Sequence, residues 1–226
     1  MKAISSKLWW LIHKDLIVEY RTRQAWPAML LLGVIVAVVF NLQLELLPAQ
    51  RPAAAGALLW LAILFAGLVA IERTCAAEQQ DGCWEGLVLY PLPGSMIYLA
   101  KLAVSFIALL ALECVLIPLF VVLADVPLLQ HAPAMVLVAV LGSLGVAAVG
   151  TLISALTQGQ RQRGAVLSLL ALPLLVPVVL AAAEATRLIA EGNLGVEWSR
   201  WVQFLGAFAI IFITTGIVLF QFLIEE

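Results

Sequence analysis

"MIYLAKLAVSFIALLALECVLIPLFVVL", Met96 to Leu123, carries only two charges, Lys101 and Glu113. The run exceeds the roughly 20 residues that an α-helix needs to cross the hydrocarbon of a bilayer. It shows no period-two alternation of the kind a barrel strand requires. Five further runs of the same character flank it: Ala25–Leu47 and Ala53–Ile71 before it, and Pro133–Thr157, Gly164–Ala190 and Trp201–Leu223 after it. The first is the least clean, because Asn41, Gln43 and Glu45 enter its far end. The pattern predicts an all-α integral membrane protein of six transmembrane helices, forming one domain over residues 1–226. The third and fifth runs are long enough to tilt, or to bend at Pro118, Pro173 and Pro177, where a ring removes a helix hydrogen bond.

Composition agrees with this reading. Of 226 residues, 64% are hydrophobic and 12% charged. A soluble domain of that length is nearer half apolar and a quarter charged. The net charge of −2 leaves no basic face for nucleic acid, so no nucleic-acid partner is expected. The basic N-terminus is not followed by a cleavable signal pattern, because its first long apolar run starts near Pro27 and lacks a cleavage-like end.

Lys and Arg distribution sets the orientation. With six spans both termini share one side, which holds Lys2, Lys7, Lys14, Arg21, Arg23, Arg73, Lys101, Arg161 and Arg163; the other side holds Arg51, Arg187 and Arg200. Nine cations against three place both termini in the cytoplasm. Trp26, Trp60, Trp198 and Trp201 fall near span ends and are expected at the membrane interface. Residues 1–24 are too charged to span. On a helix, Lys7, Lys14 and Arg21 form one stripe, while Ile4, Leu8, Leu11, Ile12 and Leu16 lie on another side. A helix of this kind can rest on the inner leaflet; because Asp15 and Glu19 interrupt its apolar side, a cytosolic lead-in without fixed depth is the other reading.

Catalytic chemistry is not expected. The chain contains no GxxxxGK[ST] phosphate loop, no HExxH and no GxSxG. Cys75, Cys83 and Cys114 have no metal-ligand spacing. His13 and His131 fall on opposite sides of the membrane and cannot ligate one metal or haem together. No cofactor is expected to be bound, and any ATP hydrolysis belongs to a separate chain.

The most polar stretch between spans is "EQQDGCWEGLVLYPLPGSMIYLAK", Glu78 to Lys101, on the cytoplasmic side. Asp81-Gly82 predicts a break after the second span. "CWEGLVLY" reads as a short helix with Trp84, Leu87 and Val88 on one side. Pro91 and Pro93 stop it, and Ser95 is placed to N-cap the third span. Chemistry alone leaves two readings level: a rigid element that passes force between a cytosolic motor and the membrane, or an amphipathic turn lying on the bilayer.

This stretch resembles the loop of the CcmB family, called haem exporter protein B. The family pattern is matched by Asp81-Gly82, Glu85, Leu87, Pro91, Pro93 and Ala100-Lys101. A second likeness is "RGAVLSLLALPLLVPVVL", Arg163 to Leu180, similar to the family's Arg-Gly-Gly followed by an apolar run and Leu-Pro-Leu-x-x-Pro. Ala165 stands in place of the second Gly, and Cys83-Trp84 replaces a smaller pair. The resemblance covers nearly the whole chain.

The resemblance implies an ABC-2 type permease subunit for cytochrome c maturation in the bacterial inner membrane. The stretch between spans two and three then becomes a coupling helix. The permease is implied to be a homodimer that binds a separate CcmA-like ATPase, with CcmC-like and CcmD-like membrane partners. ATP hydrolysis is linked to a periplasmic CcmE-like haem chaperone, with haem as cargo of the complex. The tryptophan-rich motif of the CcmC partner is absent, only Trp9-Trp10 being adjacent. On this basis Glu78, Asp81, Gly82, Trp84, Glu85, Leu87, Pro91 and Pro93 are candidates for ATPase coupling. Arg161 and Arg163 are candidates for a second cytoplasmic contact or for positive-inside anchoring. Two other functions stay open: a permease for another hydrophobic or lipid-linked substrate, and a non-transporting scaffold.

Inside the spans, Glu113 is a candidate polar site, since intramembrane acids are costly and often functional. It is expected at a dimer seam, in a polar cavity, or hydrogen-bonded to a neighbouring helix. Ala139, Ser143, Ala147, Thr151 and Ala155 recur every four residues, broadened by Gly142, Gly145 and Gly150, and predict a close-packing face. Pro173 and Pro177 mark a hinge or a fixed kink. Glu184 and Arg187 have the spacing of a helical ion pair.

Overall fold

A computed structural model describes residues 10, 12–13, 17, 25–44, 51–80, 93–124, 126–157 and 163–225. Six long helices account for most of them. They are α1 (Ala25–Leu44), α2 (Arg51–Gln80), α3 (Gly94–Ala124), α4 (Ala132–Leu156), α5 (Arg163–Ala190) and α6 (Val196–Glu225). The described residues contain no strand. Four stretches among them are long and apolar enough to cross a membrane: Gly94–Leu123, Leu128–Ser154, Leu169–Ala190 and Val196–Gln221. α2 holds a shorter apolar segment, Ala54–Val69.

Helix α4 forms the middle of the bundle, packed against α2, α3, α5 and α6. α1 lies on α2 and α3, and α6 covers α3, α4 and α5. The central place of α4 follows from its side chains. Ala139, Ser143, Ala147 and Thr151 are all buried, and so are Gly142, Gly145 and Gly150. Small side chains let several backbones approach one helix, which is how helices associate where lipid and protein interior are equally apolar. The side chain of Ala155 lies outside the described residues. α5 offers a matching face in Ala171, Leu175, Val178, Ala181, Ala182 and Ala185, all buried.

Element ends differ from the expected spans in ways that backbone chemistry explains. α2 continues to Gln80, nine residues past the expected end of its apolar run at Ile71. Glu72-Arg73-Thr74-Cys75-Ala76-Ala77-Glu78-Gln79-Gln80 contains no breaker and mostly good helix formers, so the helix has no reason to stop where the hydrophobicity does. At ~1.5 Å per residue the extension is about 13 Å long. α3 starts at Gly94, and the Met96 N–H donates to the Pro93 carbonyl at 2.9 Å. Ser95 is therefore inside the first turn and does not cap it, because Pro93 already occupies the position before the helix. α6 starts at Val196, five residues before the expected Trp201.

The connection from α3 to α4 tightens into a 3₁₀ turn, Leu128–His131, with Gln130 N–H donating to Pro127 O at 3.2 Å. α5 ends in a Schellman closure: Gly192, at φ 71°, donates to Ile189 O at 3.0 Å, and Asn193 donates to Leu188 O at 2.9 Å. Pro118, Pro173 and Pro177 all sit within continuous helices, on exposed positions. An outward ring leaves the packed face of the helix undisturbed. Of the N-terminal segment, Trp10, Ile12, His13 and Ile17 are helical, with Trp10 and Ile17 exposed; its other residues lie outside the described ones.

Candidate functional site

Two buried side-chain hydrogen bonds tie helices across the bundle. Trp60 on α2 is fully enclosed, and its Nε1–H donates to Thr186 Oγ1 on α5 at 2.9 Å. The Thr186 hydroxyl donates in turn to the Ala182 carbonyl at 2.7 Å. The Trp60 ring lies against Gly142 of α4, where a Cβ would collide with its six-membered ring. The indole thus joins three helices, and the expectation that it sits at the membrane interface is corrected. Trp60 is ten residues into α2, opposite Gly142 of α4, which leaves room for its aromatic plane, and Thr186 satisfies its N–H there. Trp198 and Trp201, by contrast, are half-buried near the start of α6.

One residue on from Gly142, Ser143 Oγ donates to Glu113 Oε1 of α3 at 2.5 Å. Glu113 is 2% exposed, so it points into the helix bundle, away from its outer surface. Its Oε2 has no partner among the described residues. Bonds of this kind between membrane helices contribute on average only ~0.6 kcal/mol. The two bonds therefore set the mutual register of α2, α3, α4 and α5, while apolar packing supplies most of the cohesion.

Near the start of α3, Tyr98 is fully buried. Its hydroxyl lies 3.3 Å from the Ala148 carbonyl of α4 and 3.3 Å from the Phe212 carbonyl of α6. Its ring faces Phe220 at 5.1 Å. At the opposite end, Arg187 pairs with Glu184 at 2.7 Å, as its spacing predicted, and also with Glu191 at 2.7 Å.

The candidates for the cytoplasmic contact divide by position. Glu78 lies in the last turn of α2, on its extension beyond the apolar run, and Arg163 opens α5. Pro93 is exposed immediately before α3. Asp81, Gly82, Trp84, Glu85, Leu87, Pro91 and Arg161 lie outside the described residues. The ends of α2 and α3 nonetheless bracket the segment that holds most of them.

No group of three or more His, Cys, Asp or Glu able to hold a metal ion occurs among the described residues. Cys114 is an exposed free thiol. What the bundle holds is a set of interhelical ties, suited to keeping or changing helix positions. Sequence reasoning missed Tyr98 and the Trp60–Thr186 pair. The position of Trp60 well inside its helix was an available signal; for Tyr98 there was none, since its acceptors are backbone carbonyls.

Comparison with known proteins adds a consistent result. The family model described as CcmB protein matches residues 6–222. "Heme exporter protein B" of Rhodobacter capsulatus is 36% identical over 141 residues, covering 61% of this chain and 63% of the relative. The chain thus spans somewhat less than two thirds of that relative's length. The Pseudomonas aeruginosa protein of the same name is 29% identical, covering 68% of each chain. The Escherichia coli one is 30% identical over 181 residues, covering 78% of this chain and 80% of the relative.

Proposed function

The chain belongs to the CcmB family, and from that premise we propose that it is the membrane permease subunit of an ABC complex for cytochrome c maturation. It carries six spans in an ABC-2 type arrangement in the bacterial inner membrane, with both termini cytoplasmic, and works as a homodimer. A separate CcmA-like ATPase docks on its cytoplasmic face. ATP hydrolysis there is coupled to haem delivery, or to release of a haem-loaded CcmE-like chaperone, in concert with CcmC-like and CcmD-like membrane subunits. The permease is not itself an enzyme; haem is cargo of the complex.

The observation that carries this reading is the family match over residues 6–222. Helix architecture supports it physically. α2 runs about 13 Å past its apolar segment before the chain turns back into α3. That extension leads beyond the apolar run into the connection proposed to meet a soluble motor. Glu78, Asp81 and Glu85 supply charge for Arg or Lys of the motor, Trp84 supplies an aromatic anchor of the type that dominates interfaces, and Gly82, Leu87, Pro91 and Pro93 shape the segment. Arg161 and Arg163, at the α4–α5 connection, are the second proposed contact.

Replacing Glu85 with Lys tests this assignment. Recovery of the ATPase with the tagged permease, and the cellular yield of c-type cytochromes, are both expected to fall. Unchanged recovery together with unchanged cytochrome yield would refute the docking role.

A further inference from the structure

A tyrosine hydroxyl has one proton to donate. That of Tyr98 faces two acceptors, Ala148 O on α4 and Phe212 O on α6, both at 3.3 Å. Hydrogen bonds between oxygens are best near 2.7–2.8 Å, so the hydroxyl sits between two full bonds and completes neither. We propose that Tyr98 is a positioning residue of the coupling device: its proton passes between the α4 and α6 carbonyls as the cytoplasmic end of α3 is displaced, and so sets how α6 sits on the rest of the bundle. This rests on the coupling reading above.

Three features of the fold support it. First, the ring has room to lie against α6 only because residue 216 is a glycine; a Cβ there would overlap the Tyr98 ring and hydroxyl. The ring can therefore slide along the α6 backbone while Phe220 keeps apolar contact with it. Second, α3 is pinned to α4 elsewhere, by the Ser143–Glu113 bond. Glu113 is 15 residues from Tyr98 on a continuous helix, a lever arm of about 22 Å. Moving the hydroxyl by ~0.5 Å, from 3.3 Å to an optimal distance from one carbonyl, needs a tilt of α3 of only about 1° around that pin. Third, Tyr98 lies in the second turn of α3, directly after the connection proposed to meet the motor. A small push on that connection is applied at the moving end of the lever.

Two substitutions at one position separate a shared-proton tie from a plain structural contact. Y98F removes the proton and keeps the ring. Incorporation of 4-aminophenylalanine at position 98 supplies two N–H donors, so both carbonyls can be bound at once. Each is purified as the full complex with its ATPase and the periplasmic chaperone. Measured are thermal stability, ATPase recovery, KM for ATP, and chaperone released per ATP hydrolysed.

For both variants, recovery and KM are expected to match the wild type, while release per ATP falls about fivefold, the change that one lost or locked hydrogen bond gives. The amino variant is also expected to be at least as heat-stable as the wild type, although it releases less. If release per ATP in the amino variant equals that of the wild type, Tyr98 is a static contact and the proposal is overturned; this variant decides alone if Y98F does not fold. If the wild-type complex itself shows no ATP-dependent chaperone release, the coupling reading fails, and this inference with it.

Discussion

Gly142→Ala places a methyl group into the six-membered ring of Trp60, and the consequences can be worked through. The clash is with an aromatic plane, not with the mobile end of a flexible chain. Trp60 is fully buried and held by its N–H at Thr186, so it cannot swing out into space. Overpacking of a filled core costs about 1–3 kcal/mol. Tilting the indole enough to relieve the overlap lengthens the bond to Thr186, which removes roughly another 0.6–1.5 kcal/mol. The expected loss is about 2–4 kcal/mol. Trp60→Phe alone leaves a void and loses the same bond, at about 2–3 kcal/mol. The double variant should be little worse than Trp60→Phe, because the shorter ring makes room for the methyl. The interaction energy is then about 2 kcal/mol in the favourable direction. Unfolding in mixed detergent micelles, followed by far-ultraviolet circular dichroism, measures all four corners of the cycle. Additivity to within ~0.5 kcal/mol would refute direct contact between the two positions, and a near-neutral Gly142→Ala would refute the close packing of α2 on α4.

Removing either partner of the Glu113–Ser143 bond separates shape from hydrogen bonding: Glu113→Gln keeps an acceptor for the serine and should cost under about 1 kcal/mol, whereas Ser143→Ala strands a buried carboxyl group and should cost about 1–3 kcal/mol. The same micelle titration reads both, and the reverse order would show that the bond is not what Glu113 contributes. Arg187→Ala breaks two ion pairs whose side chains are partly exposed, so its loss should be no more than about 1 kcal/mol after solvent screening, and should shrink further in high salt. A salt-independent loss above that would mean that the stem of Arg187 packs as well as pairs.

How much of this was legible in the sequence depends on what kind of force writes each feature. Helix content follows from hydrophobic runs longer than a bilayer, which any chain of this composition must satisfy internally. The small face of α4 was legible for a related reason: Ala139, Ser143, Ala147 and Thr151 at every fourth position form a stripe that permits close approach. Helix ends were less legible, since α2 runs nine residues past the expected end of its apolar run, through residues of good helix propensity. Trp60 was misjudged because indoles are enriched at the interface on average, while its actual place is decided by two residues remote in sequence, Gly142 and Thr186. Glu113 was singled out as costly, but its partner was not predictable, since Ser143 served equally well as a small packing residue.

The distribution of these ties has a mechanical meaning. Trp60 bridges α2, α4 and α5, and Glu113 joins α3 to α4, both within the buried centre of the bundle. These four helices therefore share a fixed register where these ties lie. α6 is held differently: most of its contact with α3, α4 and α5 is apolar, much of its surface is exposed, and the hydroxyl that reaches its backbone from α3 is shared with α4. Apolar surfaces slide with little cost as long as buried area is kept, whereas a directional bond permits only its own geometry. Under the proposed coupling, a push at the connected ends of α2 and α3 meets a stiff centre and yields at the α3–α6 contact. Motion confined to that contact would travel the length of α6 to its first turn, at Val196, which follows directly on the Schellman closure of α5.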